Sequence, residues 1–113
     1  VFARRVFGPA EQAALGLPLA EEEDTARRTA HTVASAAADF AAKEAFLKAA
    51  GTGLREPFSL CEIEAVRLPG GAPAYHFSGR SAQWVEARRL RAHLSLSHED
   101  GMAMAYCILE TET

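Results

Sequence analysis

A glutamate and a lysine one helical turn apart, Glu44 and Lys48, are the residues whose types and spacing best suit chemistry. They lie in "DFAAKEAFLKAAGTG", an alanine-rich run that ends on Gly-Thr-Gly. Side chains four residues apart on a helix share one face. There the carboxylate can bind Mg²⁺, and the ammonium can neutralise a phosphate oxygen bound to the same metal. The ion needs a second ligand besides this carboxylate, and a solvated surface ion pair is the alternative interpretation.

A histidine lies in the clearest β pattern of the chain, the segment "RAHLSLSHEDGMAMAYCILE". Side chains alternate with a period of two along its first arm, and Asp100-Gly101 is a hairpin turn signal. His98 is therefore predicted at a strand end beside a turn, either as a site residue or as a simple hydrogen-bonding residue. Ser97 points to the opposite face of the strand, so the two cannot form the Ser–His contact of a hydrolase triad.

The remaining pattern predicts the elements that position these residues. Pro9 begins a helix that ends before Gly16. Residues 25–50 contain neither Pro nor Gly and predict a long helix, which Gly51 ends as a left-handed cap. Strands are predicted at "SLCEIEAVRL" and "AYHFSG", a turn at "PGGAP", and a short helix at 81–89. The sequence thus predicts an α+β domain in which a long helix packs on a small antiparallel sheet.

Length and composition restrict the class of protein. With 113 residues, 49% of them hydrophobic, the chain predicts one globular domain with a modest core. Its net charge of -3 argues against a general nucleic-acid binder. No stretch approaches the ~18 apolar residues of a membrane span and no signal peptide opens the chain, so we expect a soluble, cytoplasmic protein without a membrane partner. Cys61 and Cys107 lie in apolar, strand-like segments and are predicted to be buried free thiols.

Four segments, taken in order, resemble the holo-acyl-carrier-protein synthase family, the short type of 4'-phosphopantetheinyl transferase. They are "FARRVFGPAE", "FAAKEAFLKAAGTG", "IEAVRLPGGAP" and "LSLSHEDGMAMAYCI". The resemblance covers nearly all of residues 1–113 and implies the 4'-phosphopantetheinyl transferase fold. It also implies a Mg²⁺-dependent enzyme that transfers the phosphopantetheine arm of coenzyme A to a serine of an apo acyl carrier protein, releasing adenosine 3',5'-bisphosphate. Such phosphoryl transfer requires in-line positioning and neutralisation of charge on the pyrophosphate.

The same resemblance implies roles for individual residues. Glu44 is expected to bind the metal near the pyrophosphate, Lys48 to contact phosphate, and His98 to lie beside the coenzyme A site, all three serving catalysis. The turn expected to contribute to coenzyme binding comprises Gly51, Thr52 and Gly53. The contacts expected with the acidic carrier protein come from Arg4 and Arg5. Family members of this short type commonly form trimers with the site at the subunit boundary, so we expect a homotrimer.

Two positions depart from the family pattern. The family opens with a Gly-hydrophobic-Asp strand whose aspartate is the other metal ligand, and this chain begins after that point. The residue before the Phe of "FAAKEA" is usually arginine, whereas here it is Asp39. We expect Asp39 either to face the coenzyme, where its charge would weaken binding, or to face an arginine such as Arg27, Arg28 or Arg91.

These departures leave a second interpretation, a non-catalytic module of the same fold that docks the carrier protein within a larger fatty-acid or polyketide synthase. The missing aspartate and Asp39 favour that module, whereas Glu44, Lys48 and His98 favour the enzyme. A simple protein-interaction domain without a ligand is a third interpretation.

Overall fold

The computed structural model describes residues 5–15 and 26–112, and the side chains of the long helix from residue 33 onward. The helices are α1 (Pro9–Leu15), α2 (Ala26–Ala50) and α3 (Gly79–Ala87), with a 3₁₀ turn at Leu60–Glu62. The strands are β1 (Ile63–Arg67), β2 (Pro73–Phe77), β3 (Leu90–Glu99) and β4 (Met102–Thr111). The predicted α+β architecture is confirmed, and the long helix is described from Ala26 to its predicted end at Ala50.

The strands form two antiparallel hairpins, β1 with β2 and β3 with β4. Asp100 and Gly101, with φ of 51° and 75°, make the two-residue turn between β3 and β4, because both positions of this turn type need positive φ. His98 pairs with Ala103 just before that turn, as the alternation predicts. α2 packs mainly on β4 and also contacts β3. The helix therefore covers one face of the β3–β4 hairpin and leaves the other face uncovered.

An aromatic cluster centred on Phe46 joins α2 to the β1–β2 hairpin. The Phe46 ring is fully buried, and its centroid lies 4.9 Å from that of Phe77, 5.5 Å from Phe58 and 5.8 Å from Tyr75. Offset and edge-on aromatic pairs at these separations are favourable beyond the area they bury. The Tyr75 hydroxyl donates a hydrogen bond of 2.6 Å to the carbonyl of Ala42, so the ring of a strand residue is fixed against the helix backbone.

Residues Leu60–Glu62 form a 3₁₀ turn, where the sequence predicts the start of a strand. The Glu62 carboxylate accepts hydrogen bonds from the Ser81 amide at 3.1 Å and the Ser81 hydroxyl at 3.0 Å. It thereby provides an acceptor for a backbone amide in the first turn of α3, which has no partner within the helix. Gly79 has φ 56°, and a Cβ atom there would collide with the Glu62 carboxylate. This contact explains why α3 starts at Gly79, two residues earlier than predicted, and why the chain turns at Glu62.

Two further sequence predictions concern cysteines and membrane spans. Cys61 and Cys107 are both free thiols, as predicted, but both are half-buried and Cys61 lies in the 3₁₀ turn instead of a strand. Burial raises the pKa of the Cys107 thiol.

Within the described part of the chain, no helix carries an apolar stretch long enough to cross a bilayer.

A buried ion pair between Lys43 and Glu11 connects α2 to α1. The Lys43 Nζ atom lies 2.6 Å from Glu11 Oε1, and both side chains are 0% exposed. Nζ also donates hydrogen bonds to the carbonyls of Leu60 at 3.0 Å and Ile63 at 2.6 Å. All three ammonium protons therefore have acceptors, which is the condition under which a buried charge is tolerated.

The Glu11 carboxylate is satisfied from three sides. Besides Lys43, it accepts hydrogen bonds from the Gly8 amide at 3.1 Å and the Ala65 amide at 2.6 Å. The Gly8 contact closes the N-terminus of α1 in the manner of a capping box, in which the residue three positions into the helix reaches back to the cap. The Glu11 amide in turn donates to the Glu64 carboxylate at 3.0 Å. One charged cluster thus holds α1, α2 and β1 together.

We expect Lys43→Met to destabilise the protein by about 3–5 kcal/mol, because it leaves the Glu11 carboxylate buried without its counter-charge. Urea unfolding at pH 7 measures the change. Lys48→Met, at an exposed position five residues later, is the matched control and should change stability by less than about 0.5 kcal/mol. Equal effects of the two substitutions would contradict the proposed importance of the ion pair.

Candidate functional site

The exposed face of α2 carries the predicted pair Glu44 and Lys48. Exposed positions follow one another at helical spacing from Val33 through Ala37 and Phe40 to these two residues, and we call this surface the α2 stripe. Val33 is 62% and Phe40 39% exposed, so the stripe is apolar at one end and charged at the other. Among the described residues, neither Glu44 nor Lys48 forms an ion pair. The predicted shared face is therefore present, and both charged groups are accessible to a ligand.

The Gly-Thr-Gly turn follows directly after Lys48. Gly51 and Gly53 have φ of 81° and 64°, and the Gly51 amide donates 3.1 Å hydrogen bonds to the carbonyls of Leu47 and Lys48. Left-handed backbone at these positions favours glycine, and the predicted helix cap at Gly51 is confirmed. The Thr52 hydroxyl donates to the Gly53 carbonyl at 2.9 Å. The charged end of the α2 stripe thus lies beside an exposed turn.

His98 lies over the other end of the α2 stripe. It lines a cavity of about 490 Å³ between α2 and the β3–β4 turn, which we call the stripe cavity, together with Val33, Ala37 and Met102. Ala37 precedes Glu44 by seven residues, which corresponds to about 10 Å along the helix axis. The structure therefore brings Glu44, Lys48 and the glycine turn together, whereas His98 of β3 lies beside an earlier part of α2. A ligand touching all of them must be extended.

Asp39, which the sequence predicts to face either the coenzyme or a neighbouring arginine, is buried. Its side chain is 6% exposed and lines a second cavity, of about 540 Å³, with Ser35, Arg67 and His98. We call it the Asp39 cavity. Among the described side chains, Arg67 of β1 lies near Asp39, which the sequence did not suggest. Arg91 pairs instead with Glu112, and the side chains of residues 27 and 28 lie outside the described part of the chain.

The electrostatic surroundings of Asp39 are unfavourable for its charged form. Burial, with a smaller contribution from the nearby Glu11 carboxylate, raises the pKa of Asp39 to about 6, although Arg67 and Lys43 oppose the shift. No described residue donates a hydrogen bond to it. Strongly shifted carboxyl groups in cavities are frequent at functional sites. Asp39 is therefore a candidate site residue on structural grounds.

The predicted carrier-protein contacts fall at the edge of the described chain. Arg5 is exposed, as a docking residue must be. Arg4 lies outside the described residues.

The described residues contain no group of three or more His, Cys, Asp or Glu side chains that could hold a metal ion by themselves. Glu44 offers one exposed carboxylate. Mg²⁺ commonly takes one or two protein carboxylates and completes its shell with water and phosphate oxygens, so Glu44 fits such an ion as one of its ligands.

Several residues important to the site region were missed by the sequence prediction. The Lys43–Glu11 pair was not predicted, although Gly8-Pro9 followed by Glu11 carries a capping-box signal. Lys43 also falls on the same helix face as Phe46 and the other buried residues, and a lysine there predicts a buried acidic partner. Nothing local marks Arg67, because its proximity to Asp39 results from the packing of β1 on α2.

We expect Asp39→Asn to stabilise the protein at pH 8. Because the folded-state pKa of Asp39 lies above the ordinary value of 3.8, ionising Asp39 costs folding free energy as the pH rises towards about 6. The asparagine variant avoids that cost, of the order of 1–3 kcal/mol at pH 8, and its advantage should shrink as the pH falls towards 4. Urea unfolding of both forms across this range measures it. A gain that does not vary with pH would contradict this assignment.

Comparison with known proteins shows the family to which this chain is similar. The family model described as the 4'-phosphopantetheinyl transferase superfamily matches residues 1–107. A holo-[acyl-carrier-protein] synthase of Leptothrix cholodnii is 39% identical over 111 residues, covering 98% of this chain and 80% of the relative. The crystal structure of the Neisseria meningitidis synthase superposes with a TM-score of 0.74 at 30% identity, covering 97% of this chain and 80% of that one.

A further solved structure carries a ligand. The holo-(acyl-carrier-protein) synthase of Bacillus anthracis, in complex with CoA (3',5'-ADP), superposes with a TM-score of 0.68 at 28% identity, over 98% of this chain and 81% of that one. The family match and the relatives that align with nearly the whole of this chain agree with the resemblance seen in the sequence motifs. The chain belongs to the 4'-phosphopantetheinyl transferase superfamily, in its holo-[acyl-carrier-protein] synthase family.

Proposed function

We propose that the protein transfers the 4'-phosphopantetheine arm of coenzyme A to a serine of an acyl carrier protein and releases adenosine 3',5'-bisphosphate. The observation that carries the proposal is the α2 stripe, on which Glu44 and Lys48 are exposed beside the glycine turn. Relatives named as synthases and the Bacillus anthracis complex support the same reaction. They do not favour the non-catalytic module.

In this reaction the serine oxygen forms a bond to the phosphorus that carries the pantetheine arm. The bond from that phosphorus to the bridging oxygen breaks, the adenosine bisphosphate leaves with the electron pair, and the serine proton is released. Charge accumulates on the bridging and terminal oxygens, so catalysis depends on positioning and on nearby positive charge. Lys48 would supply that charge from the protein and hold a phosphate oxygen in place.

Glu44 would hold a Mg²⁺ ion against the same phosphates. The ion, when bound, neutralises the pyrophosphate and orients its oxygens. Glu44 provides one carboxylate on the exposed surface, so water and phosphate oxygens can complete the shell. Gly51, Thr52 and Gly53 leave the approach to Lys48 open and add backbone groups to the coenzyme site.

His98 would bind the nucleotide end of the coenzyme. Its cavity neighbours Ala37 and Asp39 on α2 precede Glu44 by seven and five residues, or about 8–10 Å along the helix axis. Because it lines both the stripe cavity and the Asp39 cavity, it can contact a nucleotide that extends from the pyrophosphate along α2. We therefore assign His98 to binding of the coenzyme.

The macromolecular partner would be an acidic carrier protein. Arg5 is exposed, and Arg4 precedes it in the sequence, so the pair can steer an acidic surface towards the site. The half-buried free thiols Cys61 and Cys107 are compatible with a reducing compartment, and we propose a cytoplasmic location.

We further propose that the protein is a homotrimer. The face of β4 that α2 does not cover exposes four large apolar side chains, which are 47–66% exposed: Met102, Met104, Tyr106 and Ile108. Contiguous apolar surface of this kind commonly marks an interface. On the neighbouring strand, Ser95 and Ser97 lie opposite Tyr106 and Met104, so the patch has a polar border.

Intact-mass spectrometry of an apo acyl carrier protein tests the reaction. With coenzyme A and Mg²⁺, we expect the carrier to gain one phosphopantetheine. Glu44→Gln should lower the rate by at least about 100-fold without loss of fold, because the amide keeps the volume but loses the charge that holds the cation. Glu86→Gln, at an exposed position on α3, is the matched control and should leave the rate unchanged.

Failure of the wild-type protein to modify several carriers would contradict the enzyme and favour the docking module. Equal rates for wild type and Glu44→Gln would instead remove Glu44 from the mechanism and leave the reaction in place.

Sedimentation equilibrium tests the oligomer. We expect the wild-type protein to have the mass of a trimer, and Tyr106→Glu to shift it towards the monomer, because a charge in a buried apolar interface is costly. Tyr106 is 66% exposed in the single chain, so a monomeric variant should keep its helical circular dichroism. A monomeric wild type would contradict the proposal.

A further inference from the structure

The helix α3 and the loop after the glycine turn form a basic surface that the proposed mechanism does not use. Its members have exposed or half-buried side chains, and we call it the Trp84 surface: Arg55, Arg80, Trp84 and Arg88. We propose that this surface docks the acidic carrier protein, as a second contact area besides the one predicted at Arg4 and Arg5. For the identity of the partner, this inference rests on the proposed function.

Three residues of the Trp84 surface follow one another at helical spacing. Arg80, Trp84 and Arg88 are four residues apart, so they lie along one side of α3 and of the residue that caps it. Glu86 follows Trp84 by two residues and is rotated from it by about 200°, which places it on the opposite side of the helix. The acidic side chain of α3 is therefore directed away from these arginines.

The Trp84 ring is held from two directions and is still half-exposed. Its centroid lies 4.9 Å from that of the Phe58 ring in an edge-on arrangement. The Arg88 guanidinium lies 4.0 Å from the Trp84 centroid, and its Nη1 atom donates a 3.4 Å hydrogen bond to the Trp84 carbonyl. A guanidinium stacked on a ring keeps its other N–H groups for a carboxylate. Arg88 is thus ordered before a partner binds, which lowers the entropy cost of docking.

The arginines of this surface are available to an acidic partner. Arg80 lies 3.7 Å from Glu56, but the two side chains are 64% and 86% exposed, and ion pairs of this kind contribute little. Among the residues that the structure describes, no carboxylate pairs with Arg55 or Arg88. The surface is therefore locally positive, although the whole chain has a net charge of -3. Tryptophan and arginine are also enriched among the residues that dominate binding at protein interfaces, which favours a protein partner.

On one side, the Trp84 surface continues from the proposed site. The Arg55 amide donates a 3.0 Å hydrogen bond to the carbonyl of Gly53, the last residue of the glycine turn after Lys48. The next residue, Glu56, is the one that lies near Arg80 of α3. The path from Lys48 to α3 therefore consists of directly connected residues.

On the other side, the surface approaches the segment of Arg5 around the 3₁₀ turn. Glu62 of that turn accepts the hydrogen bonds of Ser81 in the first turn of α3. Leu60 of the same turn packs against the cluster that contains Val6, the neighbour of Arg5. The two basic areas thus flank one turn, and an acidic protein can contact both.

Tryptophan fluorescence tests the docking directly, because Trp84 is the only tryptophan in the chain. The probe is an acyl carrier protein that contains no tryptophan and whose acceptor serine is replaced by alanine, so that it docks without being modified. We expect its addition to shift the emission of Trp84 and to lower quenching by acrylamide at least about 2-fold, because the ring becomes buried in the interface.

Steady-state kinetics of the transfer separate docking from catalysis. The double substitution Arg80→Gln and Arg88→Gln should raise the KM for the carrier protein at least about 5-fold at low salt, because it removes two charges from the interface. The KM for coenzyme A and kcat should stay within about 2-fold, and added NaCl should reduce the difference in carrier KM. Glu86→Gln, on the opposite side of α3, is the matched control and should keep the carrier KM. Circular dichroism checks that both variants are folded.

Unchanged fluorescence of Trp84 at saturating carrier protein would overturn the inference, as would a carrier KM that the double substitution does not change. Protection of Trp84 that increases with the concentration of this protein alone would assign the surface to contact between copies, and would also overturn it. The proposed function is judged independently. A carrier that gains phosphopantetheine with the same KM in the double variant supports the enzyme and rejects the docking surface. A carrier that protects Trp84 from quenching, although the wild-type acceptor is never modified, supports the docking surface and rejects the transfer.

Discussion

The buried ion pair of Lys43 and Glu11 is the interaction on which the arrangement of the helices around the sheet depends. An ammonium with three acceptors and a carboxylate with three donors fix α1, α2 and the start of β1 to within hydrogen-bond distances. Apolar packing could tolerate a shift of one element against another, but these contacts cannot, because any displacement leaves a buried charge unsatisfied. The pair therefore contributes geometric specificity as well as stability.

That constraint determines where the site residues point. Lys43 faces inward, and its neighbour Glu44, rotated by about 100°, lies on the exposed side of the helix. Lys48 and the apolar half of the α2 stripe follow on the same surface. The inward charge at residue 43 and the outward charge at residue 44 thus have different functions, although both belong to one dipeptide. The same inward face carries Asp39, one turn before Lys43.

Asp39 is unfavourable for the stability of the folded protein. Its carboxyl is buried near a like charge, and the nearby cations only partly compensate. A neutral group of similar size at this position would avoid the cost of ionisation.

The sequence by itself determined the elements and much of their order. Periodicity and turn residues were sufficient for α2, its glycine cap and the β3–β4 hairpin, because these depend on local backbone preferences. The motifs were sufficient to recognise the family, and helical spacing placed Glu44 and Lys48 on one face. Their chemical roles remain proposals.

Only the tertiary structure decided which distant residues meet. The turn at Glu62, the approach of Arg67 to Asp39 and the pairing of Glu11 with Lys43 join segments separated by up to 32 residues in the chain. No local preference encodes such contacts, since they result from the packing of whole elements and from the need to satisfy buried charges. For the same reason Asp39, an ordinary polar residue in the sequence, became a candidate site residue only in the folded protein.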